Sequence, residues 1–207
     1  MKKAAIIIGR NINLKNIDLS NTYVIGVERG CLAAISAHLE LDVAVGDFDS
    51  VSQGELRKIY AKVKKVVKLN PVKDETDTAY AYHLVSNYDK ISILGGIQGE
   101  RIEHFIAILN ILKEDKKVEI IDKNSHISSI DSSDSPYIIN NTKYKYVSIF
   151  AIEEAVVTLK NFKYTLKEYL LSETNSLGIS NEVAVGQEGT ISLTQGRIMI
   201  IQSKEDN

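Results

Sequence analysis

The sequence predicts an α/β N-terminal domain with a mostly parallel open sheet, followed by an all-β antiparallel sandwich or barrel domain. Three observations carry this expectation. Up to about Asp122, short Val- and Ile-rich runs alternate with helical patterns, the rhythm of repeated β-α-β units. Beyond Asp122 the helical patterns stop. From Tyr137 onward, short alternating segments are separated by turn residues, as in small antiparallel sheets. The expected division is 1–124 and 125–207.

In chain order, the runs at 4–8, 23–27, 43–45, 63–69, 91–94 and 118–121 read as strands. They are apolar without alternation, which suits strands covered on both faces. Helical patterns fill the gaps at 31–39, 53–61, 78–87 and 102–112. In the last, Ile102, Phe105, Ile106, Leu109 and Leu112 recur at helical spacing and predict one apolar stripe. Residues 128–135 with Pro136 read as a polar connector. Short strands are expected at 144–150, 155–159, 182–185, 190–193 and 197–202, with turns at Asn140-Asn141, Gln187-Glu188-Gly189 and Gln195-Gly196. The stretch 164–171 is ambiguous and admits a brief helix. No internal repeat is evident.

Composition excludes several classes. A chain of 207 residues, 44% hydrophobic and 25% charged, is an ordinary globular one with length enough for a core. The formal net charge of -2 gives no global attraction to nucleic acid or to an anionic membrane. Phosphate chemistry therefore has to come from local clusters. Cys31 is the single cysteine, which excludes an internal disulfide and fits a reducing cytoplasm. The basic-then-apolar start at Met1 has the look of a signal peptide, but the apolar run stops at Gly9-Arg10-Asn11 without a small-residue cleavage site. A buried first strand is the better reading, and no run is long enough to cross a bilayer. A cytoplasmic protein is expected.

Three clusters stand where loops should leave the strands. Gly46-Asp47-Phe48-Asp49-Ser50 directly follows Val43-Ala44-Val45. Carboxylates at i and i+2 can converge on one hard cation such as magnesium, and strand C-termini of open α/β sheets are where ligands bind. The same residues also fit a turn in which Asp49 or Ser50 caps the next helix. Lys73-Asp74-Glu75-Thr76-Asp77-Thr78 opens the helical pattern at 78–87. A helix start with a lysine beside it suits a phosphate, and Asp77 can join the first pair on a metal. Helix starts are also routinely acidic for capping alone. The third cluster, Gly95-Gly96-Ile97-Gln98-Gly99-Glu100-Arg101-Ile102-Glu103-His104, is followed by Asn110. Its glycines let backbone approach a ligand and Arg101 can hold a phosphate bidentately. His104 reads either as a phosphate contact or as a structural residue. The conjunction of three such loops on one sheet edge is stronger than any of them.

Together these motifs resemble the thiamine pyrophosphokinase family. Its Gly-Asp-Phe-Asp-Ser run is matched by residues 46–50, and its Lys-Asp-x-Thr-Asp segment by Lys73, Asp74, Thr76 and Asp77. Of its Gly-x-x-Gly-Gly-Arg-x-Asp-His signature, with an asparagine further on, Gly96, Gly99, Arg101, His104 and Asn110 match. Glu100 replaces the second glycine of the pair and Glu103 the aspartate. An earlier Asp-x-Gly element appears as Glu28-Arg29-Gly30, and a late Ser-Asn pair as Ser180-Asn181. The resemblance spans nearly the whole chain in order.

The resemblance implies transfer of the terminal two phosphates of ATP to the hydroxyethyl oxygen of thiamine, with release of AMP. It implies Mg2+ held by Asp47, Asp49, Asp77 and Glu103, with Lys73 and Arg101 on the phosphates. Thr76, Gly96, Gly99, His104 and Asn110 would complete nucleotide binding, and Ser176, Ser180 and Asn181 would hold thiamine. Residues 1–124 would then be the ATP/magnesium catalytic domain, and 125–207 the thiamine-binding and dimerisation domain of a homodimer. Some family members stack a late tryptophan on thiamine. This chain contains none, which leaves an aliphatic or tyrosine wall. Two other readings stay open here: the same transfer to another heterocyclic alcohol, and a catalytically weakened protein that binds thiamine or its diphosphate. The retained Lys73, Asp47, Asp49 and Asp77 speak against the second.

Overall fold

The computed structural model of the chain describes residues 1–9, 12–72, 74–97, 101–140, 143–175 and 177–205. They fall into two units, Met1–Lys123 and Asn124–Asn207. The first contains β1 (Lys3–Ile8), β2 (Thr22–Val27), β3 (Val43–Gly46), β4 (Val66–Lys68), β5 (Lys90–Leu94) and β6 (Val118–Ile121). Their order across the sheet is β6-β5-β1-β2-β3-β4, and each neighbouring pair is parallel. The unbroken apolar runs have their reason here: Ile6, Ile7, Ile25, Ile91 and Ile93 are wholly buried, as strands covered on both faces require. Because β1 lies between β2 and β5, the strand order reverses at β1, and the loops after β1, β2, β3 and β5 leave one edge.

The connecting helices are α1 (Arg29–Ser36), α2 (Gln53–Lys62), α3 (Asp77–His83) and α4 (Ile102–Glu114). Ser52 and Glu55 close a reciprocal capping box at the start of α2. The Thr76 hydroxyl accepts the Ala79 N–H to cap α3. Helix α1 lies so close to the sheet that a Cβ on Gly30 would stand 2.0 Å from the Ile7 carbonyl oxygen. Only glycine permits that approach.

Helix α4 corrects the predicted stripe. Its buried residues are Ile108, Ile111 and Leu112, whereas Ile102 and Ile106 are 64% and 52% exposed. Apolar residues occur nearly all round this helix, so its period does not select a face, and packing against β6 and α3 does.

The second unit is antiparallel throughout, with β7 (Ser125–Asp131), β8 (Tyr137–Ile139), β9 (Tyr146–Lys160), β10 (Leu166–Leu171) and β11 (Gly189–Ser203). The order is β10-β9-β11-β7, with β8 also on β11. The fold class is the expected one, but several elements differ. The two short strands expected at 144–150 and 155–159 are one strand, β9, and those at 190–193 and 197–202 are β11. Gln195-Gly196 is a bulge and not a turn. The β9–β11 register shifts there, and a Cβ on Gly196, at φ 76°, would meet the Glu154 carbonyl oxygen at 2.1 Å. The presumed connector 128–135 instead begins inside β7, whose Ile127, Ser129 and Ile130 are buried. Serines conceal that strand because Ser129 is satisfied by the Arg197 guanidinium, 2.9 Å away. Within 164–171, Leu166–Leu171 form strand β10, and there is no helix. At 182–185 there is only an isolated bridge, Phe162 to Val183. Ile149, Val157, Leu171, Ile191 and Ile198 are among the core residues of this unit. Among the described residues no helix is long and apolar enough to cross a membrane.

Candidate active site

Strands β2 and β3 are adjacent and parallel, with Val27 opposite Val45, so the residues that follow them emerge side by side. Glu28 follows β2, with its backbone turned to φ 50° and ψ -124°. Its N–H donates to the Val45 carbonyl at 2.9 Å. The Glu28 carboxylate then reaches across the loop after β3. It accepts the Phe48 N–H at 2.7 Å and the Ser50 hydroxyl at 3.1 Å. The Arg29 guanidinium donates to the Ser50 carbonyl and ties the same loop to α1. Within the loop, Asp49 N–H donates to Asp47 Oδ1 at 3.0 Å, an Asx turn that fixes the Asp47 carboxylate against the Asp49 backbone.

The result is a convergence of acids. Carboxylate oxygens of Glu28, Asp47 and Asp49 lie within 4.8 Å of one another. Burial pushes the Glu28 carboxyl above its ordinary value, opposed by its bonds from Phe48 and Ser50, and the charges of Asp77 and Asp47 raise it further. Like charges held this close repel, and a hard cation would relieve them while leaving its other positions to phosphate oxygens. The donor set therefore fits magnesium. Asp77 opens α3, half-buried, and acts on Glu28 through its charge.

The third loop is positioned from below. Gly96 packs on Ile8 and Ile108, where a Cβ would stand 2.5 Å and 2.9 Å from their side chains. The next N–H, from Ile97, donates to Asp122 Oδ2 at 3.1 Å. Arg101 is the N-cap residue of α4, with its side chain turned to Glu103: Nε to Oε1 is 2.6 Å, and the side chains are 70% and 60% exposed. That hydrogen bond holds the Glu103 carboxyl below its usual range. Glu103 stands apart from the carboxylate trio, and His104 and Asn110 are exposed on α4. Thr76 serves as the α3 cap. Lys73, Gly99, Glu100 and Ser176 lie outside the described residues.

In the second unit, Ser180 is exposed with φ 54°, and its N–H donates to Ser148 Oγ at 2.9 Å. Asn181 is only 4% exposed. Cys31 is buried on the inner face of α1, and burial pushes its thiol up to about 12, which makes it a packing residue.

The family model described as thiamin pyrophosphokinase, catalytic domain, matches residues 14–121, and that described as thiamin pyrophosphokinase, vitamin B1 binding domain, matches residues 136–198. The chain belongs to the thiamine pyrophosphokinase family. The thiamine pyrophosphokinase of Bacillus subtilis is 31% identical to it in an alignment of 194 positions that covers 89% of each chain. A solved structure of a thiamin pyrophosphokinase family protein from Enterococcus faecalis superposes with a TM-score of 0.84 at 26% identity, covering 99% of this chain and 100% of that one. The solved B. subtilis thiamine pyrophosphokinase gives 0.81 at 28% identity, with coverage of 99% and 100%.

Two residues of the site carry more than their local sequence announces. Glu28 was expected only as a lengthened form of the Asp-x-Gly aspartate, yet its carboxylate completes the trio with Asp47 and Asp49. The available signal was an acid directly after an apolar strand, one strand before the Asp47 loop. Asp122, 8% exposed at the end of β6, anchors the glycine loop. Its pairing with Ile97 spans 25 positions and leaves no local pattern.

Proposed function

We propose that the protein is a magnesium-dependent ATP:thiamine diphosphotransferase that acts as a cytoplasmic homodimer. Membership of the thiamine pyrophosphokinase family supports the reaction and the enzyme class. The single observation that carries the chemistry is the convergence of Glu28, Asp47 and Asp49 at the edge where β2 and β3 end. Magnesium, when bound, screens the phosphate charges that build up in an in-line transfer. Glu28, Asp47 and Asp49 would hold it, with Asp77 at the start of α3 beside them and Glu103 as a further ligand.

Arg101 and Lys73 would bind the phosphates of ATP. For Arg101 this means exchanging Glu103 for phosphate, an exchange eased by the exposure of both side chains. Asp77 or Asp49 would orient the attacking hydroxyl and accept its proton. Gly96 and Gly99 would bring backbone close to the nucleotide, with Thr76, His104 and Asn110 around it. Ser180 and Ser176 would meet thiamine.

The test is AMP release from ATP and magnesium, with and without thiamine, for wild type and Asp49→Ala. Thiamine-dependent AMP that disappears in the variant is the expected result. Thermal stabilisation by thiamine without AMP release would instead mark a binding protein. AMP release with a different heterocyclic alcohol, and none with thiamine, would replace the acceptor.

A further inference from the structure

Asn181 stands in the Ser-Asn pair expected to hold thiamine, but its surroundings assign it another task. Its side chain is 4% exposed and bonds only to backbone. Oδ1 accepts the Tyr164 N–H at 3.0 Å and the Glu182 N–H at 2.9 Å, and Nδ2 donates to the Tyr164 carbonyl at 2.7 Å. Both acceptor positions of the amide oxygen are therefore occupied. The Asn181 backbone is equally committed, exchanging bonds of 3.0 Å and 2.8 Å with Val147 at the start of β9. A side chain closed to solvent with its oxygen saturated has little to offer a substrate.

Tyr164, held by the amide, and Ser180, its neighbour in the chain held by Ser148, are both open. Ser180 is exposed beside it, and Tyr164 is 61% exposed although its N–H and carbonyl are both gripped by the one amide. Lys163 adds a brace, with Nζ 2.9 Å from Glu182 Oε1 and 5.7 Å from the Tyr164 ring centre. We infer that Asn181 is a positioning residue that fixes Tyr164 beside the Ser180 turn, and that the heterocycle of the acceptor meets Tyr164 and Ser180 and never Asn181. This rests on thiamine as the acceptor. It gives a tryptophan-free chain an aromatic surface of its own, since stacking needs a rigidly held ring.

Two readouts test it. In the ligand-free protein, Asn181→Ala should abolish amide-exchange protection at Tyr164 and Glu182 while Ile7 and Ile93 keep theirs. Unchanged protection at Tyr164 overturns the clamp whatever the substrate is. In thiamine-dependent AMP release, Asn181→Ala and Tyr164→Ala should each raise KM for thiamine about tenfold, with kcat and KM for ATP held within about twofold. The double variant should match the single ones, because both act through one ring. Additive losses, or an unchanged thiamine KM in Asn181→Ala, overturn the positioning role. If Asn181→Ala does not fold, Asn181→Asp enters the same cycle, since it keeps the acceptor oxygen for both N–H groups and replaces the donor bond to the Tyr164 carbonyl by an oxygen–oxygen contact. A wild type without thiamine-dependent AMP overturns the contact at Tyr164 along with the acceptor, and the exchange experiment then decides the clamp alone.

Discussion

Gly30→Ala tests how the sheet delivers Glu28 to the acidic trio. The new Cβ would fall 2.0 Å from the Ile7 carbonyl oxygen, 2.6 Å from its carbon and 2.9 Å from Ile8 Cα. All three are backbone atoms of a central strand, so no side chain can swing away. Helix α1 must lift from β1 by about 1 Å, and overpacking of this kind costs about 3 kcal/mol where both sides are rigid. In a chain of this size, about 2–4 °C of Tm is lost per kcal/mol, which predicts a fall of about 6–12 °C. Glu28 precedes α1 and moves with it, out of register with Asp47 and Asp49. A displacement of about 1 Å at a reacting centre lowers turnover on the order of a hundredfold.

Calorimetry and AMP release measure the two effects. Gly54→Ala is the control, because nothing lies within 4 Å of a Cβ there. In helix α2 that change should leave activity intact and stabilise by about 0.5–1 kcal/mol. A Gly30→Ala protein with wild-type Tm and turnover would refute the tight α1–β1 approach and its role in placing Glu28.

Glu28→Gln should raise the Tm of the metal-free protein at pH 7. The folded Glu28 carboxyl is shifted upward, chiefly by burial and then by the neighbouring acids, so its stabilising protonated form is complete below the ordinary value of 4.5 and is lost as pH rises through the folded value. The advantage of the variant should accordingly vanish below that pH and shrink with millimolar magnesium, and a Tm gap independent of pH would refute the assignment. Cys31, buried with its thiol raised to about 12, should resist iodoacetamide in the native protein and react after denaturation, which mass spectrometry reads directly; rapid native alkylation would contradict the buried placement.

The α/β half was legible because its signals are local. Val- and Ile-rich runs such as residues 4–8 and 91–94 announce strands covered on both faces, and the helical pattern at 53–61 announces α2, although its cap is Ser52 and not Asp49 or Ser50. The motif loops were legible for the same reason, each lying in one stretch between a strand and a helix. What the sequence left open was decided by partners distant in the chain. Strands β9 and β11 pass through Glu153, Glu154 and Gln195, polar residues that look like breaks until the two strands pair and a bulge absorbs the register shift. Polar β7 is a strand because β11 supplies its ladder. In α4, apolar residues all round give no phase, and packing chose Ile108 over Ile106.

The site divides in the same way. Sequence alone placed Asp47 and Asp49 in one turn, since two positions of separation bring them together. It took the pairing of β2 with β3 to add Glu28. Burial turned Asn181 from an expected ligand contact into a clamp on Tyr164, 17 positions away. Composition and spacing set which residues could act, because those properties belong to the local chain. Which of them share a cavity, a hydrogen bond or a charge was set by through-space distance, and only the folded backbone fixes that.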